Sequence, residues 1–215
     1  MSDWHFRFLD HSSRIRLHIG AVSLTTVDGP VIDQIADLAR AGIHPASYMP
    51  FSTPWSAGSP QDVQRNIKRW MTASIEKSHI AKWNLIFGVR RNGVLVGSTN
   101  LSASNYSDER TVTTGSWLGQ DFQGVGTGKL MRAALLQLAF GELGAEFATS
   151  EVFADNFPSR AVNEHLGYVD DGERTVTRQG SPTRLKSYRL SRHGWLHMAD
   201  VNISGGKEMG DFLRL

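Results

Sequence analysis

The run Trp117-Leu118-Gly119-Gln120-Asp121-Phe122-Gln123-Gly124-Val125-Gly126-Thr127-Gly128-Lys129 concentrates residue types that bind phosphate. An apolar strand end leads into a glycine-dense turn, and the turn opens an amphipathic helix predicted from Thr127 to about Leu143. Glycines allow successive N–H groups to converge on one point. The helix start adds donors without an intrahelical acceptor and the positive end of the helix dipole. Together these suit a phosphate-rich ligand. An ordinary strand-to-helix turn uses the same residue types, so spacing must discriminate.

Spacing removes two loop types. A Walker loop needs G-x-x-x-x-G-K-[ST], but Leu130 follows Gly128-Lys129 and Gln123 stands at the first glycine position. A dinucleotide fingerprint needs G-x-G-x-x-G. Gly124 and Gly126 fit it, and Lys129 occupies the third position. What remains is Q-x-x-G-x-G, read as Gln123, Gly126 and Gly128.

Downstream, the strand-like run from Phe147 to Phe153 is followed by Asp155-Asn156-Phe157-Pro158-Ser159-Arg160-Ala161-Val162-Asn163-Glu164-His165-Leu166-Gly167-Tyr168. This segment resembles the N-x-x-S…L-G-[FY] signature of the GNAT acyltransferase superfamily. The glycine loop resembles the coenzyme A pyrophosphate loop of the same superfamily. The order of strand, glycine loop, helix, strand, N-x-x-S, short helix and L-G-Y fits as well. The branch resembled is that of the RimJ/RimL-like N-acyltransferases, over about residues 10 to 190. The segment from His44 to Trp55 looks like an actinobacterial subgroup, some of whose members prefer succinyl-CoA to acetyl-CoA.

The resemblance implies a single GNAT-like α/β (α+β) domain in which two parallel strands, Thr111–Leu118 and Phe147–Phe153, splay apart to admit coenzyme A. Its pantetheine amides would pair with backbone near Trp117 and Leu118. Its pyrophosphate would sit on the N–H groups of Gln123, Gly124, Val125, Gly126, Thr127 and Gly128, with Lys129, Arg132 and Arg160 as nearby basic residues. Asn156 would bond the pantetheine arm; it also reads as an ordinary turn asparagine. The implied reaction is N-acyl transfer, with an acetyl or succinyl group passing by direct attack of a primary amine, either a protein N-terminus or a small amine, in a ternary complex.

Such a reaction needs a donor facing the oxyanion, and a backbone N–H near Leu118 is the candidate. It needs a proton or strong hydrogen bond for the leaving thiolate. Many superfamily members use a tyrosine shortly before L-G-F; the matching position here is Asn163, which points to Ser159 instead. Ser159 also reads as a helix cap. The usual strand glutamate is replaced by Thr113 and Thr114. Glu151 is the best remaining carboxylate for a base, with Asp155 or a water chain behind it, although an outward-facing surface glutamate reads the same way. His44, Tyr48, Met49, Phe51 and Trp55 are candidates for the acyl or acceptor pocket; a loop that only plugs the domain would look alike. An α-amine ionises near about 7.7–8.0 and lysine near about 10.4, a gap that makes lysine costlier to present neutral by roughly 3.4 kcal/mol. A site without a strong base therefore suits an α-amine or another amine of low pKa. Without the tyrosine and the strand glutamate, a non-catalytic acyl-CoA-binding regulatory module on the same fold is the alternative.

The surrounding elements must position these residues. Apolar spacing predicts a strand near Ile15 to Ile19 and a helix from Val31 to about Ala41. A second helix starts at Ser59-Pro60 and buries Val63, Ile67, Trp70, Met71 and Ile75. Leu85–Val89 and Val94–Thr99 read as a hairpin around Asn92-Gly93, and a closing hairpin turns at Gly180. Ser102 to Arg110 reads as a polar loop. The alternation gives a mixed, mostly antiparallel twisted sheet flanked by helices. Residues 1–195 read as the domain and 196–215 as a tail that packs on the surface or against a partner subunit; dimers are common in the branch resembled. With 215 residues, 23 basic and 21 acidic side chains, the charge is too balanced to argue for nucleic acid. No apolar run is long enough to span a bilayer and the N-terminus lacks a signal-peptide core, so the expectation is a cytoplasmic protein without a membrane partner. No cysteine is present, which excludes disulfides, thiolate metal sites and an acyl-cysteine intermediate. His193 and His197 have helical metal-ligand spacing without a third ligand, and no metal is expected.

Overall fold

The strand Lys82–Arg91 shows how the sequence divides the molecule. Trp83, Leu85, Phe87 and Val89 are buried in one hydrophobic cluster and Ile86 in another. Successive side chains of a strand point to opposite faces, so the sheet containing it carries a core on each side. A computed structural model describes residues 3–195 and 200–214. Its elements run α1 (Asp3–Ser13), β1 (Arg16–Ile19), β2 (Val22–Thr26), α2 (Gly29–Ala41), α3 (Pro60–Glu76), β3 (Lys82–Arg91), β4 (Val94–Ser104), α4 (Tyr106–Glu109), β5 (Thr111–Leu118), α5 (Thr127–Gln137), β6 (Phe147–Phe153), α6 (Phe157–His165), β7 (Val169–Arg178), β8 (Ser181–Ser191), β9 (Asn202–Ser204) and α7 (Gly206–Leu213).

Among the described residues nine strands join one sheet in the order β7-β8-β6-β5-β4-β3-β2-β1-β9. β5 and β6 are parallel and every other neighbouring pair is antiparallel. A parallel pair needs a crossover, and α5 supplies it. α2 and α3 cover the face that holds Ile86, burying Ile32, Ile35, Ala39, Val63, Ile67 and Met71; Trp70, expected on the buried face of α3, is exposed. Both begin on side-chain caps: Asp28 accepts from the N–H of Val31, and Ser59 forms a capping box with Asp62. Such caps contribute about 1 kcal/mol each. α5 lies on the opposite face with α7, where Met131, Leu135, Leu136, Met209 and Phe212 share a core with β1–β6.

Three segments differ from the sequence reading. α1 was not expected; its apolar face is made of a few aromatic residues and closes through Trp4 stacked on Phe8 at 5.0 Å. The segment read as a polar loop, Ser102 to Arg110, instead extends β4 to Ser104 and adds α4. Tyr106 of that turn is buried and donates to the Leu143 carbonyl at 3.0 Å. The helix expected to reach Leu143 is α-helical to Gln137 and continues as a π-helical turn, Leu138–Leu143.

Beyond Trp195, β9 extends the sheet beside β1 and α7 docks on the π-helical turn. Arg214 donates to the carbonyls of Glu142 at 3.0 Å and Leu143 at 3.3 Å, satisfying groups that a helix end leaves without partners. The contact depends on small residues, because a Cβ on Gly210 would lie 2.1 Å from the Glu142 carbonyl oxygen. Gly210→Ala must therefore lift α7 off the core. Overpacking of this kind costs about 1–3 kcal/mol, and denaturant unfolding of the variant against wild type measures it.

Candidate active site

β5 and β6 pair only at their first residues, Thr111 with Phe147, Val112 with Ala148 and Thr113 with Thr149. A threonine pair closes the ladder, with Thr113 Oγ1 and Thr149 Oγ1 2.9 Å apart. Beyond it the strands part. β5 stays on β4 as far as Leu118, and β6 stays on β8 as far as Phe153. Gly119 N–H donates to Val96 of β4, and the Gly115 carbonyl accepts from Thr99 of β4. Backbone groups alternate sides along a strand, so Ser116 and Leu118 turn theirs toward the opening. Trp117 faces β4 with its backbone. Of the two residues expected to meet a pantetheine arm, Leu118 is therefore the one whose N–H faces the gap.

A cavity of 730 Å³ fills the parting and is lined from both faces of the sheet. The glycine loop forms one wall. Gly124 and Gly126 adopt φ of 77° and 82°, a region that glycine enters without steric penalty. Gly126 caps α5 without any side-chain hydrogen bond. No backbone hydrogen bond among the described residues uses the N–H groups of 124–128. The Gln123 N–H, expected to join them, instead donates to Gln120 at 3.4 Å. The Gln123 side chain ties the loop down, donating to the Ile43 carbonyl at 2.7 Å and the Leu118 carbonyl at 2.9 Å. Gly124, Gly126, Gly128 and Lys129 line the cavity. Thr127 is buried with its hydroxyl accepting from Arg91 at 3.2 Å, and Val125 points to solvent.

The opposite wall comes from β6 and α6. Asn156, Ser159 and Glu151 line it. The cap of α6 is Asn156, whose Oδ1 accepts from the Ser159 N–H at 3.2 Å; Ser159 sits one turn inside. Among the described residues the Ser159 hydroxyl makes no hydrogen bond, whereas Arg160 turns away, donating to Tyr188 at 3.3 Å and the Ala154 carbonyl at 2.9 Å. Arg160 is thus placed off the cavity. Arg132, noted in the sequence only as a basic residue near the loop, is buried at the fork. It donates to Ser116 of β5 at 3.0 Å, Ser150 of β6 at 3.4 Å and Asn163 of α6 at 3.1 Å. It stands four residues after Gly128, one helical turn along the same face of α5.

Both carboxylates considered as bases carry arginine partners. Glu151 accepts from Arg174 through both oxygens. Asp155 accepts from Arg178 at 2.9 and 2.5 Å. Those hydrogen bonds hold the Asp155 carboxyl below the usual carboxylate range, which makes it a poor proton acceptor. The same carboxylate accepts from Tyr48 at 3.2 Å, and Arg178 lies 5.4 Å over the Tyr48 ring. Burial, with the Asp155 charge behind it, pushes the Tyr48 phenol up to about 12. The three side chains clasp the 44–58 loop to the β7–β8 hairpin across the cavity.

The remaining loop residues divide. Phe51 and Trp55 line the cavity and form a run of rings with Trp117, at 4.9 and 5.8 Å. His44 also lines it, with Nδ1 2.9 Å from the Pro45 carbonyl and Nε2 2.7 Å from the Ser56 hydroxyl. A carbonyl only accepts, so Nδ1 carries a proton toward Pro45. Met49 is buried away from the cavity, beneath Ser56. Among the described residues no group of His, Asp, Glu or Cys is arranged to hold a metal; His197 lies outside the described residues.

An extended groove with unengaged strand N–H groups at one end and a glycine loop with unengaged N–H groups at the other could hold a long, phosphate-bearing ligand. Sequence comparison gives the family: the acetyltransferase (GNAT) domain matches residues 16–169. The chain belongs to the GNAT acetyltransferase family and is an acyl-CoA-dependent N-acyltransferase. That assignment decides for an enzyme over the binding module. Solved structures agree in fold. RimL, a ribosomal L7/L12 α-N-protein acetyltransferase in complex with coenzyme A, aligns with a TM-score of 0.67 at 15% identity, over 80% of this chain and 95% of its own. Mycobacterium smegmatis RimJ in complex with a CoA disulfide gives 0.66 at 19%, over 83% and 85%. A chimera of the Vibrio cholerae spermidine N-acetyltransferase SpeG gives 0.64 at 16%, over 81% and 97%.

Two variants test the loop and the clasp. A Cβ on Gly128 would meet nothing nearer than Val162 at 3.6 Å. Gly128→Ala should therefore keep or raise stability by about 0.5–1 kcal/mol. Its methyl group would stand in the way of a phosphate approaching the loop N–H groups, and should weaken coenzyme A binding about tenfold or more in calorimetry. Arg178→Gln should raise hydrogen exchange in residues 44–58 at neutral pH. In wild type the Asp155 carboxyl is lowered in the fold, so the clasp persists above the ordinary carboxylate pKa of about 3.9. It loosens only as pH falls below that, and the same exchange measurement across pH checks it.

Proposed function

We propose that this enzyme transfers an acetyl or succinyl group from coenzyme A to the α-amine of a protein N-terminus or to a small amine of low pKa. One observation carries the reading: the parted end of β5 and Gly124, Gly126 and Gly128, whose N–H groups are unengaged, line a single cavity. The donor lies along β5, its pyrophosphate on the glycine loop with Lys129 beside it and its arm against the β5 edge and Asn156. The acceptor enters past Phe51, Trp55 and the Tyr48 clasp.

A neutral amine nitrogen attacks the thioester carbonyl carbon. The Leu118 N–H accepts the oxyanion's charge by donating a hydrogen bond that exists before the reaction begins. The carbon–sulfur bond then breaks, with the Ser159 hydroxyl as hydrogen-bond donor to the departing sulfur. The amine proton passes to water, because Glu151 and Asp155 are held by Arg174 and Arg178. An enzyme working this way favours acceptors already neutral near pH 7.

Thiol release from acetyl-CoA and succinyl-CoA, followed against N-terminal peptides, polyamines and lysine side-chain amides, tests the reading. Release with α-amines should exceed release with lysine amides. Its kcat/KM should rise with pH to a plateau set by the acceptor, near about 7.7–8.0 for an α-amine. Donor binding without thiol release for any amine would overturn it. Calorimetry with the two donors decides the acyl group.

A further inference from the structure

Arg132 is 3% exposed. Its neighbours at the fork are the hydroxyls of Ser116 and Ser150 and the amide oxygen of Asn163, all neutral. None of the ion pairs among the described residues includes it. A guanidinium has five N–H donors, and the buried Nε has no partner. Burying a cation without a counter-charge is costly to a fold, so the position calls for an anion. The side chain forms part of the cavity wall, and Ser116, which it holds, belongs to the strand edge that faces the opening.

We propose that Arg132 is the fixed cation that receives the coenzyme A thiolate as it leaves. The inference rests on the acyl-transfer reading above and adds to it a catalytic residue. The amine nitrogen forms its bond to the carbonyl carbon, the carbon–sulfur bond breaks, and the electron pair goes to sulfur. The sulfur departs as an anion beside the guanidinium and needs no proton at that moment; the amine's proton goes to solvent. Asn163, where the family pattern places a tyrosine, supports the cation through its Oδ1 in place of supplying a proton. Arginine suits the role because its planar fork can hold both strands and still present a donor.

The test titrates the thiol of coenzyme A bound to the full-length protein, following thiolate absorbance in the ultraviolet. An adjacent cation should lower the bound thiol about one to three pH units below free coenzyme A. Asn163→Asp places a carboxylate against the guanidinium and neutralises it without removing it. That variant should melt at or above the wild-type temperature, return the bound thiol toward the free value, and lower single-turnover acyl transfer about a hundredfold. Arg132→Gln should do the same to thiol and rate if it folds. A purely structural arginine would leave the thiol titration unmoved and would let Asn163→Asp keep its rate. Wild-type-bound coenzyme A titrating like free coenzyme A, or Asn163→Asp transferring at the wild-type rate, overturns the proposal. Absence of coenzyme A binding in wild type would overturn the acyl-transfer reading itself, a separate result.

Discussion

Backbone hydrogen bonding between β5 and β6 stops at Thr113 and Thr149, and the site follows from that break. Buried backbone polar groups need partners. Each strand keeps its outer ladder, β5 on β4 and β6 on β8, so the sheet survives the parting. The inner edges are left to a ligand, which can add to a strand edge as another strand would. A long donor that brings its own amides fits such an edge; a compact metabolite does not.

The fork stays open because side chains occupy the space that a ladder would close. Arg132 reaches from α5 to Ser116 on one strand and Ser150 on the other. Gln123 binds the end of β5 to the Ile43 carbonyl, so the glycine loop and the aromatic loop share one anchor. The Tyr48–Asp155–Arg178 clasp then fixes the aromatic loop from the far side. Stability and function compete here. Donors of the glycine loop remain unengaged and a cation is buried, while the caps of α2 and α3 and the docking of α7 supply stability elsewhere.

Much of this was legible in the sequence where local pattern decides structure. β5 and β6 have the bounds expected from alternation, and the glycine loop opens α5 at Thr127 as its composition implies. α2 was legible from its apolar spacing and α3 from its start at Ser59-Pro60. α4 and α7 were not, since Tyr106 and Gly210 take their meaning from contacts with Leu143 and Glu142 far along the chain. The same holds for the carboxylates. Glu151 and Asp155 read as candidate bases until the register of β7 on β8, shifted between Asp170 and Glu173, brings Arg174 and Arg178 to them. Arg132 looked like one more basic residue beside a phosphate loop. Only the tertiary packing of α5 against the fork shows it as a buried charge without a counter-ion.

The most direct measurement is backbone amide NMR of the protein titrated with coenzyme A. The account predicts that the amides of Ser116, Leu118 and residues 124–128 shift together and gain protection from exchange, while those of the β1–β2 hairpin stay in place. Saturable binding that leaves 116, 118 and 124–128 unmoved, or that shifts amides elsewhere instead, would contradict a donor seated between β5 and β6.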